Sequence, residues 1–288
     1  MGKAAERLNI TQPAISRSIA ELERLLGVRL LDRHRRGVEP TEFGRALVDG
    51  GAAAFDDLQR AVKNIEFLAD PAGGSVRIGC NPFLTATFVS AVIDRLSRRY
   101  PRIIVDIATA DADILRRDLR QRDVDFLIAR KFGPVADDQL VFETLYDDAF
   151  VVVAGANSPW VRRRKMALVD LVNEPWTLPR PETALGTVFL EAFRSSGLSY
   201  PRTVVFAGQA DQLRVNLVAT GRFLTMFSTS ILRFPSERAK LRVLPVRLPL
   251  PPAPVGIVTL ANRTLSPVAR LVIEHARAVA KPLAKHRA

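Results

Sequence analysis

The chain has 288 residues, 48% hydrophobic and 25% charged, with one cysteine and a formal net charge of +12. The length predicts two or three folding units; the lone Cys80 excludes an internal disulfide and fits a reducing compartment; no apolar run reaches the roughly eighteen residues that span a bilayer. Residues 1–70 hold 11 Lys+Arg and 11 Asp+Glu, so the entire +12 lies in residues 71–288, with 31 basic and 19 acidic residues, and bulk charge is a poor guide to nucleic-acid binding.

The start, Met1 to Arg7, lacks the apolar core of a secretory signal, so a cytoplasmic location without membrane attachment is expected. Residues 3–8 read as the end of a helix with an apolar edge at Ala4, Ala5 and Leu8. Asn9-Ile10 breaks it, and Thr11 is placed to cap a second helix whose first turn accepts Pro13 because no N–H is needed there. Ile15, Ile19, Leu22 and Leu26 recur every three or four residues as one buried stripe, and Gly27 stops the helix. Its other face groups Gln12, Pro13, Ser16 and Arg17 at the N-terminal turn, where a recognition helix meets base edges. Glutamine suits adenine, arginine suits guanine or phosphate, and the positive end of the helix dipole favours phosphate. A plain helical hairpin explains the stripe but not this polar cluster. Val28 to Pro40 then reads as two short strands around a basic tip, a wing in which Arg33, Arg35 and Arg36 could each neutralise a phosphate.

These segments, Ala4 to Leu8, Thr11 to Arg17, Leu22-Glu23, Leu26 to Leu30 and Pro40 to Gly44, resemble the winged helix-turn-helix of LysR-type transcription regulators. The resemblance implies that Gln12, Pro13, Ser16 and Arg17 contact double-stranded DNA, supported by Arg33 and its neighbours. It also implies a further covering helix ahead of Met1. A start assigned too late is expected, rather than a genuine truncation.

Thr41 can cap a long helix to about Ala69, along which Val48, Gly51, Phe55, Leu58, Val62, Ile65 and Ala69 form a heptad seam. The length, the lack of proline and the narrow seam favour pairing with a second copy over packing on its own domain. The resemblance likewise implies a dimer, with tetramers and a contact to RNA polymerase left open. Two-fold symmetry would then require two DNA half-sites. Pro71 to Gly74 is a hinge.

From Ser75 strands and helices alternate: strands at 76–80, 103–108, 124–129, 150–155, 176–178, 203–206 and 255–260, and helices at 84–99, 112–120, 187–196, 210–220 and 267–281. This rhythm predicts a parallel sheet with helices on both faces. Arg77-Ile78-Gly79, Tyr100-Pro101, Val124-Asp125, Phe193 with Gly197, Val218 to Gly221 and Leu265 to Pro267 resemble the effector-binding domain of the same family, whose fold is like that of periplasmic solute-binding proteins. The expected fold class is therefore α/β. It comprises a winged helix-turn-helix in residues 1–45, a linker helix in 41–70 and a two-lobed effector domain in 74–288. Lobe I takes 74–156 and 256–288; lobe II takes 157–255.

Ligands of such folds sit at the carboxyl ends of strands. That nominates the turn Asn81 to Thr85, with Asn81, Phe83 and Thr85 as candidates, together with Arg130, Arg180, Gln209 and Ser228. Arg130 and Arg180 would suit an organic anion, although each taken singly fits a solvated loop end equally well. The effector is expected to be an organic acid or a sugar derivative, with no cofactor.

No catalytic constellation appears. His34 is in the wing, His275 in the last helix and His286 in the tail, without metal or triad spacing. Cys80 reads as a buried structural thiol, and the run Arg162 to Lys165 as a solvated turn. A ligand-responsive, DNA-binding transcription regulator and not an enzyme is the reading that results. Its rival is a cytoplasmic small-molecule-binding protein of the same fold that has lost DNA binding.

Overall fold

The computed structural model describes residues 2–34, 37–132, 137–208, 210–233 and 239–284, with backbone alone at Arg33, Leu232 and Arg233. Helix α1 (Gly2–Leu8) ends at Asn9, which holds a φ of 55°, a conformation a short polar side chain tolerates. Helix α2 (Gln12–Leu26) begins at an extended Thr11, with Pro13 in its first turn. The Thr11 hydroxyl, expected to cap this helix, makes no capping bond. Its carbonyl instead accepts the Ala14 and Ile15 N–H groups at 3.0 and 3.3 Å, which leaves the cap to the backbone. Gly27 ends α2 with φ 71°, donating its N–H to the Glu23 carbonyl at 2.9 Å; a side chain at that φ would be strained.

The expected buried stripe of α2 is only partly buried. Ile15 joins Ala5 and Leu30 in a small core and Ile19 is half-buried, but Leu22 and Leu26 are exposed. Two short helices and a wing offer too little surface to cover them. Strand β1 (Leu31–His34) pairs antiparallel with β2 (Gly37–Pro40). Thr41 caps α3 (Glu42–Ala69) as expected: its hydroxyl accepts the Gly44 N–H at 3.0 Å and donates to the Arg29 carbonyl at 2.7 Å.

The chain divides into two compact units, residues 1–62 and 63–288. The second unit opens with β3 (Gly73–Cys80), α4 (Pro82–Leu84), a π-helical turn at Thr85–Val89 and α5 (Ser90–Ser97). It continues through β4 (Arg102–Thr109), α6 (Ala112–Arg120), β5 (Phe126–Arg130) and β6 (Leu140–Asp148). Then come β7 (Phe150–Gly155), β8 (Trp176–Leu178), α7 (Ala184–Arg194), β9 (Thr203–Phe206), α8 (Asp211–Ala219), β10 (Leu224–Ser228) and β11 (Leu241–Val243). Strand β12 (Ala253–Leu260) and α9 (Pro267–Ala284) close the unit.

Two five-stranded sheets result, ordered β4-β3-β5-β12-β6 in lobe I and β11-β7-β10-β8-β9 in lobe II. Neither is the all-parallel sheet expected. Strand β3 runs parallel to β4 and β5, but β12 is antiparallel to β5 and β6, and β7 is antiparallel to β10 and β11. Because β6 leads directly into β7 and β12 returns, each sheet receives a crossing strand against the βαβ direction. The change of sheet falls at Ala149 instead of after residue 156, so β7 belongs wholly to lobe II, and lobe I resumes at Ala253 instead of 256.

Lobe I buries Ile78, Phe88, Phe126, Val255 and the α9 face Val272, Ile273 and Ala276 on one side of its sheet. Lobe II buries Val152, Trp176, Phe189, Phe193 and Met226. Apolar burial of side chains this size contributes about 1.5–3 kcal/mol each and makes the lobes firm mounts for the loops between them. Among the described residues, no helix is long and apolar enough to cross a membrane.

Candidate functional site

Two places in the chain can carry function, one in each unit. In the first, Gln12, Pro13 and Arg17 are exposed at the start of α2 and Ser16 is half-buried. The side chains of Gln12, Ser16 and Arg17 make no hydrogen bond or ion pair among the described residues. Exposed donors at a helix N-terminus, next to unpaired backbone N–H groups, suit base edges and phosphate. The wing is braced against this helix by Glu23, whose carboxylate accepts the Leu30 and Leu31 N–H groups at 2.7 and 3.1 Å. Sequence reasoning missed that role, since nothing local marks a glutamate as a receptor for a loop eight residues on. Arg33 sits in β1 opposite Val38; its side chain, Arg35 and Arg36 lie outside the described residues. Along α3, Val48, Phe55, Leu58, Val62 and Ile65 are all exposed, between 55 and 70%.

In the second unit, the nominated effector residues are brought to the ends of the strands, but most are already engaged. Asn81 caps α4 by accepting the Leu84 N–H at 2.9 Å, and Thr85 donates its hydroxyl to the Asn81 carbonyl at 2.9 Å. Phe83 stacks on Phe227 with centroids 5.9 Å apart. Arg130, expected as a free cation for an organic anion, is 5% exposed and pairs with Asp148 at 2.7 Å. Its guanidinium also donates to the Ser228 hydroxyl at 2.9 Å and lies over the rings of Phe83 and Phe150. A charge taken out of water must be paired, and the crossing strand β6 ends at the carboxylate that pairs it. Asp148 is held in turn by the Thr229 hydroxyl, the Ser230 N–H and the Ser230 hydroxyl at 3.0, 3.1 and 2.7 Å. Lobe I and lobe II are thus stitched by a single polar network. Arg180 stays exposed, over the Phe206 ring at 5.2 Å. Gln209 lies outside the described residues.

A second charged group went unnoticed in the sequence. Arg214 on α8 is 1% exposed, bonds the Thr225 hydroxyl at 2.7 Å and Asp211 at 3.3 Å, and lies 4.4 Å from the Phe227 ring centroid. Burial lowers its pKa to about 10, against the opposing pull of Asp211. Burial also raises the Asp211 carboxyl, with Arg214 the largest opposing influence, and raises the Tyr200 phenol. Tyr200 donates its hydroxyl to the Pro179 carbonyl at 2.8 Å. Asp211 occupies the first turn of α8, the kind of position an external anion would otherwise take.

Among the described residues no group of three metal-ligating side chains occurs. Cys80 is buried, and desolvation pushes its thiol up despite the hydroxyl of Thr85 at 3.0 Å; such a thiol is unreactive.

With this geometry the chain can be set beside known proteins. Residues 69–281 match the family described as the LysR substrate binding domain, and residues 1–45 match the bacterial regulatory helix-turn-helix protein, lysR family. The HTH-type transcriptional regulator GbpR of Azospirillum brasilense is 29% identical over 277 residues, covering 96% of this chain and 81% of that protein. ArgP from Mycobacterium tuberculosis has the same fold, with a TM-score of 0.70 at 21% identity over 98% of this chain and 92% of that one. The effector binding domain of QuiR, solved in complex with shikimate, superposes with a TM-score of 0.60 at 16% identity over 73% of this chain and 98% of its own. The chain belongs to the LysR family of bacterial transcription regulators: ligand-responsive, DNA-binding proteins and not enzymes.

Proposed function

We propose that this regulator works in the cytoplasm as a dimer, reads a two-fold-symmetric DNA site through Gln12, Pro13, Ser16 and Arg17, and answers to a neutral, hydroxylated small molecule held between its lobes. The observation that carries the effector class is the Arg130–Asp148 ion pair. With Arg130 paired and Arg214 tied to Asp211 and Thr225, the buried part of the strand ends offers hydroxyls and neutral ion pairs, and the nominated cation without an ion pair, Arg180, is exposed over the Phe206 ring. Between the two expected classes this favours a sugar-like molecule over an organic acid. QuiR, whose ligand carries both hydroxyls and a carboxylate, shares only the fold. The exposed seam of α3 supports the dimer: five large apolar side chains in heptad register on one helix need a partner surface.

A thermal-shift panel of neutral polyols and simple carboxylic acids on the full chain tests the effector class. A bound ligand adds about 2.7 kcal/mol of stability at roughly 100 times its Kd. A neutral hydroxylated compound is expected to raise the melting temperature, and Ser228→Ala to abolish the shift. A response to carboxylates alone would contradict the reading.

A further inference from the structure

Lobe II holds an unassigned basic face at the end of its sheet remote from the effector residues. Residues 150–252 contain 14 Lys+Arg and 6 Asp+Glu, so this stretch carries most of the chain's excess charge, whereas residues 1–70 carry none. Register places much of that charge at one edge. Leu224 pairs with Ala154 and with Trp176, Trp176 with Thr203, and Leu241 with Gly155, so β8, β9, β10 and β11 start where β7 ends. Just before these starts stand Arg202, Arg222 and Lys240; the run Arg162 to Lys165 begins seven residues beyond the end of β7, at the close of the helical turn Pro159–Arg162. All seven cations are exposed, and none has an ion-pair partner among the described residues. Among the described residues Asp170 and Glu174 stand in the segment ahead of β8, and the Asp170 carboxylate is held by the Ala167 N–H at 2.8 Å.

The loops that carry these cations are locked together by backbone. The Ala156 N–H donates to the Lys240 carbonyl at 2.8 Å, the Trp176 N–H to the Arg202 carbonyl at 3.0 Å and the Leu224 N–H to the Pro175 carbonyl at 2.9 Å. A Cβ at Gly155 would stand 2.4 Å from the Val218 carbonyl and 2.9 Å from the Gly221 nitrogen. Only glycine lets the turn bearing Arg222 press against the strand that feeds the arginine run.

We propose that this end of lobe II is a second DNA contact, one that holds the phosphate backbone without reading sequence. Five strands about 4.8 Å apart make an edge roughly 20 Å wide, which faces about a dozen phosphate charges of a duplex at one per 1.7 Å. Five of the seven cations are arginines, whose planar fork matches phosphate. The aromatic rings at this end, Trp160, Trp176 and Phe223, are buried or half-buried, so the face lacks the exposed aromatic anchors that centre protein interfaces. Duplex DNA, already the ligand of this family, fits better than an acidic protein.

The test is the salt dependence of binding of the full chain to a duplex of arbitrary sequence, followed by fluorescence anisotropy. Each lost phosphate contact lowers the slope of log K against log salt by about 0.9. Replacing Arg162, Arg163, Arg164 and Lys165 by alanine is expected to lower the slope by about two to four units, and Arg202→Gln with Arg222→Gln by one to two, approximately. A control, Arg116→Ala with Arg117→Ala and Arg120→Ala in lobe I, should leave it unchanged. Unaltered melting of each variant separates lost contact from lost fold. A slope unchanged by both lobe II variants, as a docking site for acidic protein would give, or lowered equally by the control, overturns the proposal. Arg17→Ala tests the recognition helix separately, because it changes sequence preference and the lobe II variants do not.

Discussion

Arg130 and Asp148 pull the effector site in a direction that neither residue implies alone. Arginine after a strand invites an anion, but once Asp148 is 2.7 Å away, and both are nearly dry, the pair is neutral toward a visitor. Removing one member leaves a buried charge, which costs about 3–5 kcal/mol. Asp148→Ala is therefore expected to destabilise residues 63–288 by that amount in urea. The emission of Trp160 and Trp176, the two tryptophans of the chain, reports on that unit. Asp148→Leu with Arg130→Met should recover most of the loss, since apolar replacements of buried pairs are often neutral. A loss below about 1 kcal/mol in the single variant, the range of exposed pairs, would mean the pair is wetter than described. The sequence offered Arg130 but not its partner. Asp148 is one of two adjacent aspartates, and only the crossing from β6 to β7 decides which of them turns inward. Arg214 was hidden for a similar reason: a single arginine in a short helix with no clear apolar face reads as solvated until its helix is seen against β10.

At the scale of elements, α3 and α9 make the clearest claims. Phe55→Asp with Leu58→Asp should convert a dimer into monomers in sedimentation; a monomeric wild type, or a variant that stays dimeric, removes the seam from the account. On α9, His275 packs edge-on against Tyr100 and its pKa is lowered from 6.5 by burial and by Arg95 and Arg99, with Glu274 opposing. The unfolded chain then takes up the proton first. This contribution is present in full above pH 6.5 and falls away as the pH drops through the lowered value. Melting temperature measured from pH 8 to 5 should decline below 6.5, and less so in His275→Leu; equal declines would contradict this. Local pattern made α6, β7, β8 and β9 legible to the residue. Three strands were not. In β6, Glu143, Asp147 and Asp148 interrupt the apolar alternation. Strand β10 follows so closely on Gly221 that it reads as a turn, and β11 has three residues that depend wholly on β7 for pairing. The helix expected over 84–99 is broken by the π-helical turn at Thr85–Val89, where Thr85 and Thr87 return their hydroxyls to the Asn81 and Phe83 carbonyls. Such side-chain bonds compete with regular helix geometry.

For the whole molecule, charge is divided against expectation. The unit that carries the recognition helix is balanced, while the effector-binding unit holds the surplus, concentrated in lobe II and near the C-terminus. On the proposed reading, sequence-selective binding depends on a few side chains at one helix end, and long-range attraction comes from lobe II. The family and the two-part organisation were legible because the recognition helix and wing form an ordered run of residue types. The antiparallel crossing strands were not, because topology is decided between segments a hundred residues apart. The most direct test of the central claim is selection of bound duplexes from a random DNA library by the full chain, followed by sequencing. The account predicts enrichment of a two-fold-symmetric motif with half-sites about one helical turn apart, lost on Arg17→Ala. Enrichment of no symmetric motif, or the same motif with Arg17→Ala, would contradict it.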